Sequence, residues 1–457
     1  MARLFGTDGV RGEANRYPVD GATVFSLGQA TILTLREDGC ERPRVVIGRD
    51  TRVSGPMLES ALAAGVASMG GVALLGGVLP TPAVAHATVA QKADAGAVIS
   101  ASHNPFEDNG VKLFSRAGFK LADTDEQRIE LSLSDQRLQS SVPGPREIGS
   151  IAELGGAQED YVAFLTTTFP TDLSLRGMKV VLDTANGAAH AVAPAAFRAL
   201  GAEVTVIHDG PDGFNINERC GSQHTEDLQK TVLAAGAALG LAFDGDGDRL
   251  IAVDEKGRKL TGDQTLLICA KMLKDQGRLN KDLIVSTVMS NMGLHLACEK
   301  YELVNHVAQV GDRYVLEDMR RLGAVLGGEE SGHMIFLEHQ TTGDGILAGL
   351  QLVAAMLLGD RPLSELAGLM EVLPQTLINV EVAIKPPLET LPEIGAAVAR
   401  AEAELGGRGR VLIRYSGTQN MCRVMVEGPS PESTDRLARE LAQVVASVLS
   451  TPGVARS

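Results

Sequence analysis

Three stretches of this 457-residue chain repeat one pattern, and this repetition constrains the fold more than any other feature. In each stretch an apolar strand opens the unit, a helical segment follows, and a later apolar strand ends in a polar or Gly-rich loop. The opening strands span residues 44–48, Lys179–Asp183 and 282–287, and the loops span 100–105, 244–249 and 327–333. Strands that alternate with helices in this way predict mainly parallel sheets.

The three loops are expected to occupy equivalent places in their domains. Each loop follows the carboxyl end of a strand, which is where open α/β sheets bind their ligands. Their chemistry differs, because the first contains Ser-His-Asn-Pro, the second alternates Asp with Gly, and the third combines Gly, Glu, Ser and His. We therefore expect one site assembled from three domains of the same type.

The C-terminal part of the chain follows a different pattern. Residues 376–384, 410–413 and 422–426 have the alternation of strands, residues 391–405 have helical spacing, and Pro431 suits the first turn of a final helix. The sequence thus predicts an α/β fold with three similar domains, built on mainly parallel mixed sheets, and a smaller α+β domain at the C-terminus. The expected boundaries are 1–154, 155–252, 253–370 and 371–457.

Composition and charge exclude several classes of partner. The net charge of −15 repels nucleic acid and anionic lipid, so any bound phosphate needs a local basic pocket. The five cysteines form no C-x-x-C pair, which favours a reducing compartment and argues against disulfides or a zinc site. The N-terminus shows no signal peptide, and the uncharged stretch 60–91 is broken by Gly and Pro. We expect a cytoplasmic protein with no nucleic-acid or membrane partner.

The strongest chemical signal is the sequence Asp244-Gly245-Asp246-Gly247-Asp248. Two carboxylates ~4 Å apart repel by about 4 kcal/mol at an effective dielectric constant near 20, so a divalent cation is their natural counter-ion. Oxygen ligands alone favour Mg²⁺, one per chain. An EF-hand is rejected because its sixth position, which needs Gly, is Arg249. A solvated acidic turn is the remaining alternative.

The other loops give weaker signals. Ser102 follows a strand and adjoins His103, with Lys112 ten residues on, so either a supported nucleophile or an ordinary turn serine fits. Glu329, Ser331 and His333 suit the binding of sugar hydroxyls, although a solvent-exposed turn also fits. A possible phosphate cradle near the C-terminus consists of Arg414, Ser416, Gly417, Thr418 and Arg423, with exposed strand-end arginines as the alternative.

Taken together and in this order, the four loops make the chain resemble the α-D-phosphohexomutases along essentially its full length. The segments 5–12 (FGTDGVRG) and 341–345 (TTGDG) resemble the members of that family that act on glucosamine phosphates. The resemblance implies a central cleft, a phosphorylated Ser102, and Mg²⁺ held by Asp244, Asp246 and Asp248 beside Ser102.

The resemblance also assigns the remaining site residues. Arg11, His103, Lys112 and Arg249 would line the phosphoryl-transfer site, Glu329 and Ser331 would hold the sugar with His333 nearby, and Arg414, Ser416, Gly417, Thr418 and Arg423 would bind the phosphate that is not reacting. Two departures stand out, because Glu330 replaces a common Gln and Gln419-Asn420 replace a common Glu-Pro. The first bears on sugar recognition and the second on the phosphate cradle.

The expected function is a phosphosugar mutase that interconverts glucosamine 6-phosphate and glucosamine 1-phosphate. The phosphoserine would donate its phosphoryl group and glucosamine 1,6-bisphosphate would be the intermediate, in a route to amino-sugar nucleotides for the cell wall. The partner is a small-molecule sugar phosphate, and the sequence leaves a homodimer open. Two alternatives remain, namely the same chemistry on glucose or mannose phosphate, and a non-catalytic sugar-phosphate sensor.

Overall fold

Four β-sheets organise the chain in the computed structural model, which describes residues 4–6, 8–133, 137–416 and 420–449. The strands are β1 (Val10–Glu13), β2 (Arg44–Arg49), β3 (Val72–Val78), β4 (Ala95–Ile99), β5 (Asp108–Ser115), β6 (Ser150–Glu153), β7 (Lys179–Asp183), β8 (Glu203–Ile207), β9 (Leu239–Phe243), β10 (Leu250–Asp254), β11 (Leu283–Thr287), β12 (Val304–Ala308), β13 (Leu326–Gly328), β14 (Met334–Phe336), β15 (Gln375–Glu381), β16 (Arg410–Tyr415) and β17 (Met421–Glu427).

Fifteen α-helices connect and cover these strands in the described ranges. They are α1 (Gly21–Glu37), α2 (Gly55–Ser68), α3 (Thr81–Ala90), α4 (Asp123–Leu133), α5 (Arg137–Ser140), α6 (Ala157–Thr168), α7 (Ala189–Ala199), α8 (Glu226–Ala235), α9 (Gly262–Asp275), α10 (Met292–Lys300), α11 (Asp312–Leu322), α12 (Gly345–Gly359), α13 (Leu363–Ala367), α14 (Pro392–Leu405) and α15 (Pro431–Leu449). The chain divides into two compact units, one of residues 1–289 and 303–369 and one of residues 290–302 and 370–457.

The first three sheets share one topology. Their strand orders are β1-β5-β4-β2-β3-β6, β10-β9-β7-β8 and β12-β11-β13-β14. In each sheet the strand before the site loop (β4, β9 or β13) runs parallel to its inner neighbour, and the strand after the loop (β5, β10 or β14) returns antiparallel to it. The predicted mixed, mainly parallel sheets and the equivalent places of the three loops are therefore confirmed.

The first sheet shows how the sequence builds this arrangement. Strand β4 consists entirely of buried apolar residues and Gly, and β2 has the same composition between its two terminal arginines, as strands covered on both faces require. Gly28 and Gly65 allow α1 and α2 to touch, since a Cβ on Gly65 would lie 2.1 Å from the Phe25 carbonyl oxygen. The core of this domain lies under these two helices and includes Leu27, Leu58 and Ile47.

Two helices begin in ways that local sequence rules do not indicate. Ser54 occupies the N-cap position of α2, but its side chain accepts no hydrogen bond from the helix, because its Oγ instead accepts one from the Asn109 side chain at 2.8 Å. Helix α7 begins at Ala189 and contains Pro194 in its interior, although proline favours the first turn of a helix. Buried alanine and valine side chains extend its apolar face toward the N-terminus and outweigh the proline.

The second unit is built on an antiparallel sheet of order β15-β17-β16, against which α14 and α15 pack. Helix α15 buries Leu437, Leu441 and Val445 at helical spacing. The expected α+β character of this domain is confirmed. Residues 290–302, which include α10, belong to the same unit, and the Glu427 carboxylate accepts a hydrogen bond from the Met292 backbone at 2.9 Å.

Candidate active site

Ser102 lies in a tight turn directly after β4. Its backbone is in the left-handed region, with φ at +54°, and its side chain is 1% exposed. Left-handed backbone in a residue other than Gly or Asn costs free energy and clusters at functional sites. The Ser100 hydroxyl accepts a hydrogen bond from the Ser102 backbone at 2.9 Å and donates one to Asp50 at 2.6 Å. The Ser100 hydroxyl thus stabilises the turn, and its proton is already donated to Asp50.

The buried side chain of Arg52 stabilises this turn through hydrogen bonds. The Arg52 guanidinium donates to the backbone carbonyls of Ser102 at 3.0 Å, Asn104 at 2.8 Å and Asp108 at 3.0 Å, and also to that of Pro105. Its Nε donates to Asp50 at 2.9 Å, so the pair is buried together. The fork of guanidinium donors therefore fixes the path of the whole serine loop.

The second domain also contacts the serine loop. Asn217 Nδ2 donates to the carbonyls of Ser102 and Asn104, both at 2.9 Å. The Thr51 hydroxyl donates to the Asn186 carbonyl at 2.5 Å. These hydrogen bonds join the first domain to the second domain at the serine loop and at the polar loop that follows β2.

The Asp-Gly loop brings three buried carboxylates together. Oxygens of Asp244, Asp246 and Asp248 all lie within 4.8 Å of one another. The Ser102 hydroxyl donates to Asp244 Oδ2 at 2.6 Å, so the serine adjoins this triad. Oδ1 of Asp246 and Oδ1 of Asp248 have no hydrogen-bond partner among the described residues, although both atoms are buried. Orphaned buried carboxylate oxygens in an oxygen-only set are what Mg²⁺ requires.

Neighbouring groups fix the orientation of the triad. The Thr81 hydroxyl donates to Asp246 Oδ2 at 2.5 Å, and the Thr81 backbone N–H donates to the Asp246 carbonyl at 2.9 Å. Lys112 Nζ donates to the same Oδ2 at 2.9 Å and lies 3.5 Å from Asp248 Oδ2. The sequence placed Lys112 beside the nucleophile, and the structure places its ammonium against the triad.

The triad is an asymmetric electrostatic group. Burial and the negative charges of Asp248 and Asp246 raise the pKa of Asp244 well above its ordinary value. Burial would also raise the pKa of Asp246, but the Lys112 charge and the hydrogen bonds from Thr81 and Lys112 together outweigh burial and lower that pKa. Burial opposes the charge of Lys112, yet the facing carboxylates raise its pKa as well. Lys112 therefore remains a cation at neutral pH.

Basic side chains surround the serine on its open side. His103 Nδ1 lies 3.4 Å from the Ser102 hydroxyl, and burial together with the charges of Arg249 and Arg11 lowers the pKa of His103 to about 4. Arg249 Nε lies 4.0 Å from Asp244 and 3.9 Å from Asp248 and has no hydrogen-bond partner among the described residues. Arg11 contacts the Asp8 carboxylate. The structure therefore brings the four predicted basic residues, Arg11, His103, Lys112 and Arg249, together around Ser102 and the carboxylate triad.

A cavity of about 560 Å³ opens beside these groups. Its lining includes Glu329 and Ser331 from the third loop and Arg11 and Arg249 from the first two domains. His333 is buried at its wall, 3.8 Å from Asp248. The second and third loops therefore share this cavity with Arg11 of the first domain, whereas the serine loop is not part of its lining and adjoins the second loop through the hydrogen bond from Ser102 to Asp244. The Glu330 side chain, by contrast, is exposed and its backbone carbonyl accepts from the Gly262 N–H at 3.0 Å.

The predicted phosphate cradle lies in the second unit. Arg414 and Arg423 are directly opposite each other on β16 and β17, and burial together with the Arg423 charge lowers the pKa of Arg414. Arg423 Nε is buried without a hydrogen-bond partner among the described residues. Two like charges at one cross-strand position destabilise a sheet unless an anion lies between them. Gly417, Thr418 and Gln419 lie outside the described residues, while Ser416 is buried and Asn420 exposed.

Several supporting residues were not predicted from sequence. These are Asp8, Asp50, Arg52, Thr81, Lys120, Asn217, Asp312 and Lys385, and the last donates to the Ser416 carbonyl at 2.8 Å. Asp50 and Arg52 stand in a polar loop directly after β2, which is a signal of the same kind as the one used for the other loops. Thr81 and Asn217 offer no local signal, because they act on residues more than 100 positions away.

A second group of possible metal ligands, Asp183, His208 and Cys220, lies in the second domain. Both Asp183 oxygens already accept backbone N–H groups, from Ala185 at 3.0 Å and Gly221 at 2.9 Å. Burial and the Asp183 charge raise the pKa of the Cys220 thiol to about 12, so the thiol keeps its proton. All five cysteines are free.

Comparison with known proteins agrees with a fold of three α/β domains followed by a smaller C-terminal domain. The phosphoglucomutase/phosphomannomutase α/β/α domains I, II and III match residues 2–139, 159–257 and 261–373, and the C-terminal domain of the same family matches 377–444. The crystal structure of a phosphoglucomutase/phosphomannomutase family protein from Burkholderia thailandensis aligns with a TM-score of 0.81 at 25% identity, over 99% of this chain and 98% of that one.

The chain therefore belongs to the phosphoglucomutase/phosphomannomutase family of α-D-phosphohexomutases, and it is a phosphosugar mutase, an isomerase. Among curated relatives, a phosphoglucosamine mutase from Syntrophobacter fumaroxidans is 60% identical over 97% of this chain and 99% of its own length, which places the chain with the phosphoglucosamine mutases. An Aspergillus fumigatus N-acetylphosphoglucosamine mutase, in complex with GlcNAc-6P and magnesium, aligns with a TM-score of 0.65 at 18% identity, over 98% of this chain and 96% of that one.

Among the described helices, none is both long enough and apolar enough to span a lipid bilayer.

Proposed function

We propose that this enzyme interconverts glucosamine 6-phosphate and glucosamine 1-phosphate through a phosphoserine at Ser102. The observation that carries the proposal is the 2.6 Å hydrogen bond from the Ser102 hydroxyl to Asp244 in a buried carboxylate triad. A serine hydroxyl at a metal-type site, in a strained turn that a buried arginine fixes, is suited to carry a phosphoryl group. The product would feed the synthesis of amino-sugar nucleotides for the cell wall in the cytoplasm.

The proposed reaction consists of two phosphoryl transfers. In the first, the bond between phosphorus and Ser102 Oγ breaks, a bond between phosphorus and O1 of glucosamine 6-phosphate forms, and the O1 proton passes to the active site. The resulting glucosamine 1,6-bisphosphate turns round. In the second transfer the 6-phosphoryl group returns to Ser102 Oγ, and O6 takes up a proton. Serine and sugar thus exchange one phosphoryl group without net loss.

The charged groups of the first two domains fit this chemistry. Asp244, Asp246 and Asp248, with Ser102, would hold Mg²⁺, which when bound stabilises the negative charge of a transferring phosphoryl group. Arg11, His103, Lys112 and Arg249 would face the same phosphoryl oxygens. Phosphoryl transfer depends mostly on positioning and charge stabilisation, and these side chains are held in fixed positions by the contacts described above.

The remaining loops would bind the rest of the substrate. Glu329 and Ser331 line the cavity and would accept or donate hydrogen bonds to sugar hydroxyls, with His333 at the wall. Arg414, Ser416, Gly417, Thr418 and Arg423 would bind the non-reacting phosphate, in keeping with the unpaired Arg423 Nε. The proposal includes four domains, with the boundaries 1–154, 155–252, 253–370 and 371–457.

The test combines turnover with identification of the phosphorylated residue. Purified enzyme with Mg²⁺ and a trace of glucosamine 1,6-bisphosphate should convert glucosamine 6-phosphate, and peptide mass spectrometry should find the phosphate on Ser102. Ser102→Ala should abolish both, whereas Ser100→Ala should keep the phosphate. Full activity of Ser102→Ala would remove the covalent mechanism.

Two alternatives are distinguishable by the same assay. A phosphoglucomutase or phosphomannomutase would show a higher kcat/KM for glucose or mannose phosphate than for glucosamine 6-phosphate. A non-catalytic sensor would bind the sugar phosphate without turnover, even with added bisphosphate.

A further inference from the structure

Asp312 places a carboxylate in the cavity that none of the roles above uses. It is the first residue of α11, and it lines the cavity together with Glu329, Ser331 and His333. The side chain is largely buried, with 14% of its surface exposed. A buried carboxylate that faces a substrate cavity needs a cationic partner, from the protein or from the ligand.

The protein supplies Asp312 with a cationic partner that is shared with a second carboxylate. Lys120 Nζ contacts Asp312 Oδ2 but also donates to Asp8 Oδ1 at 2.5 Å, so one cation serves two carboxylates. Burial opposes ionisation of Asp312, yet the charge and hydrogen bond of Lys120, together with His333, outweigh burial and lower the pKa of Asp312. Asp312 is therefore ionised, and its Oδ2 is fixed by Lys120.

More cationic side chains lie close to the Asp8 carboxylate than to the Asp312 carboxylate. Asp8 lies 3.2 Å from Lys112 Nζ and contacts Arg11 and Lys120 as well. Among the described residues, the basic groups within ion-pair distance of Asp312 are Lys120 and the His333 imidazole, whose Nε2 is 3.5 Å away. Both carboxylates line the cavity, and Asp312 is the one with fewer cationic groups close to it.

Asp312 also adjoins the proposed sugar ligands. The Gly311 backbone N–H donates to Glu329 Oε1 at 3.0 Å, so the residue next to Asp312 fixes the Glu329 carboxylate. A sugar that hydrogen-bonds Glu329 and Ser331 through its hydroxyls would occupy the cavity that Asp312 also lines. An ammonium on carbon 2 would form a charge-assisted hydrogen bond there, whereas a neutral hydroxyl would form a weaker one.

We infer that Asp312 is a specificity-determining residue that binds the C2 ammonium of an amino-sugar phosphate. The inference rests on the proposed function, since it assigns a residue to the choice of glucosamine over glucose. It also gives Lys120 a positioning role, because the lysine fixes one Asp312 oxygen, Oδ2.

The test is the ratio of kcat/KM for glucosamine 6-phosphate to that for glucose 6-phosphate, measured in wild type and Asp312→Asn. A charge-assisted hydrogen bond is worth roughly ten- to a hundredfold in binding, so the ratio should fall by about that factor. The value for glucose 6-phosphate should fall by a smaller factor, because its neutral hydroxyl forms only the weaker hydrogen bond, and Asp312→Glu, which keeps the charge, should recover part of the ratio. Asp318→Asn on the same helix removes a carboxylate that pairs with Arg321 at 2.6 Å and should leave the ratio unchanged.

A second measurement needs no variant and covers the case in which Asp312→Asn does not fold. In the wild type the same ratio should fall as the pH rises and the substrate amine loses its proton. The charged and titratable groups that face Asp312 are Lys120, His333 and Asp8. Because they act on both substrates, their effect on kcat/KM largely cancels in the ratio. A ratio independent of pH, or unchanged in Asp312→Asn, would overturn the inference. No turnover of glucosamine 6-phosphate by the wild type would overturn the proposed function instead.

Discussion

At the scale of single residues, the Asp246 carboxylate serves two purposes through its two oxygens. Oδ2 accepts hydrogen bonds from Thr81 and Lys112, which fixes the plane of the carboxylate. Oδ1 is buried and accepts none among the described residues, so it is available to a cation. One side chain thus joins a structural anchor to a proposed metal ligand.

Asp246→Asn should lower turnover by orders of magnitude. The amide keeps the size of the side chain and an acceptor for Thr81, but it removes one negative charge from the triad and weakens Mg²⁺ binding. Activity at varied Mg²⁺ concentration and calorimetric titration of Mg²⁺ measure the two effects. Asp275→Asn, an exposed carboxylate paired with Lys271, is the control. Wild-type activity with unchanged Mg²⁺ dependence in Asp246→Asn would mean that the triad is not the metal site.

At the scale of structural elements, the serine loop depends on Arg52 rather than on its own sequence. Arg52→Lys keeps the charge but cannot reach the carbonyls of Ser102, Asn104 and Asp108 together, because an ammonium lacks the guanidinium fork. Asp50 would also lose part of a buried ion pair. We expect kcat/KM to fall at least about tenfold, on the scale of one charge-assisted hydrogen bond, and the unfolding midpoint to fall as well.

The matched control for Arg52 is its neighbour Arg49. Arg49 makes an ion pair with Glu59 at 3.1 Å, which a lysine can replace, so Arg49→Lys should retain nearly full activity and stability. Steady-state kinetics and thermal unfolding of both variants make the comparison. If Arg52→Lys behaves like Arg49→Lys in both measurements, the guanidinium fork does not position Ser102.

Helix α12 begins at a carboxylate whose pKa couples stability to pH. Asp344 Oδ1 accepts the Leu347 N–H at 2.9 Å and Oδ2 accepts the Tyr161 hydroxyl at 2.7 Å. Burial nevertheless raises the pKa of Asp344 to about 6, against an ordinary value of 3.8. Between these two values the folded state binds a proton that the unfolded chain has lost. The stability contributed by Asp344 therefore falls as pH rises from about 4 to about 7.

Asp344→Asn should remove this dependence, because an amide caps the helix without ionising. The full shift corresponds to about 3 kcal/mol, of which about 1 kcal/mol is already lost at pH 4.5, so the variant should gain about 2 kcal/mol on the wild type between pH 4.5 and pH 8. Thermal unfolding midpoints at the two pH values measure the gain. Asp360→Asn, at the exposed end of the same helix, should show none. An equal difference between wild type and Asp344→Asn at both pH values would contradict the assignment.

At the scale of the whole molecule, catalysis in the proposed function requires a grip on both ends of the sugar. Arg423→Ala removes one of two facing guanidinium groups from the second unit, so kcat/KM should fall roughly ten- to a hundredfold in both directions. The bisphosphate should also escape more often, and added glucosamine 1,6-bisphosphate should partly restore the rate. Phosphorylation of Ser102, measured by mass spectrometry, should be unaffected.

The control for Arg423 is Arg408→Ala, which removes an exposed cation from the turn before β16. Its kinetics should match the wild type. Unchanged kcat/KM in both directions for Arg423→Ala would mean that this domain does not bind the non-reacting phosphate.

The sequence by itself determined the elements and the place of the reactive loops. Apolar runs such as Leu239–Phe243 form strands, and the Asp-Gly alternation that follows them forms a turn, because both outcomes depend on residues a few positions apart. The equivalent position of the three loops follows from strand order alone. Even the rejection of an EF-hand holds, since β9 and β10 flank the Asp loop as an antiparallel pair.

Tertiary structure decided which side chains support those loops. Ser102 meets Asp244 across 142 positions, Thr81 meets Asp246 across 165, and Lys120 meets Asp312 across 192. No local periodicity records such pairs, because they exist only after separate domains pack and bury their polar groups together. Burial then sets the charge of each group, as with His103 and Asp344, whose shifted pKa values come from surroundings that distant segments supply.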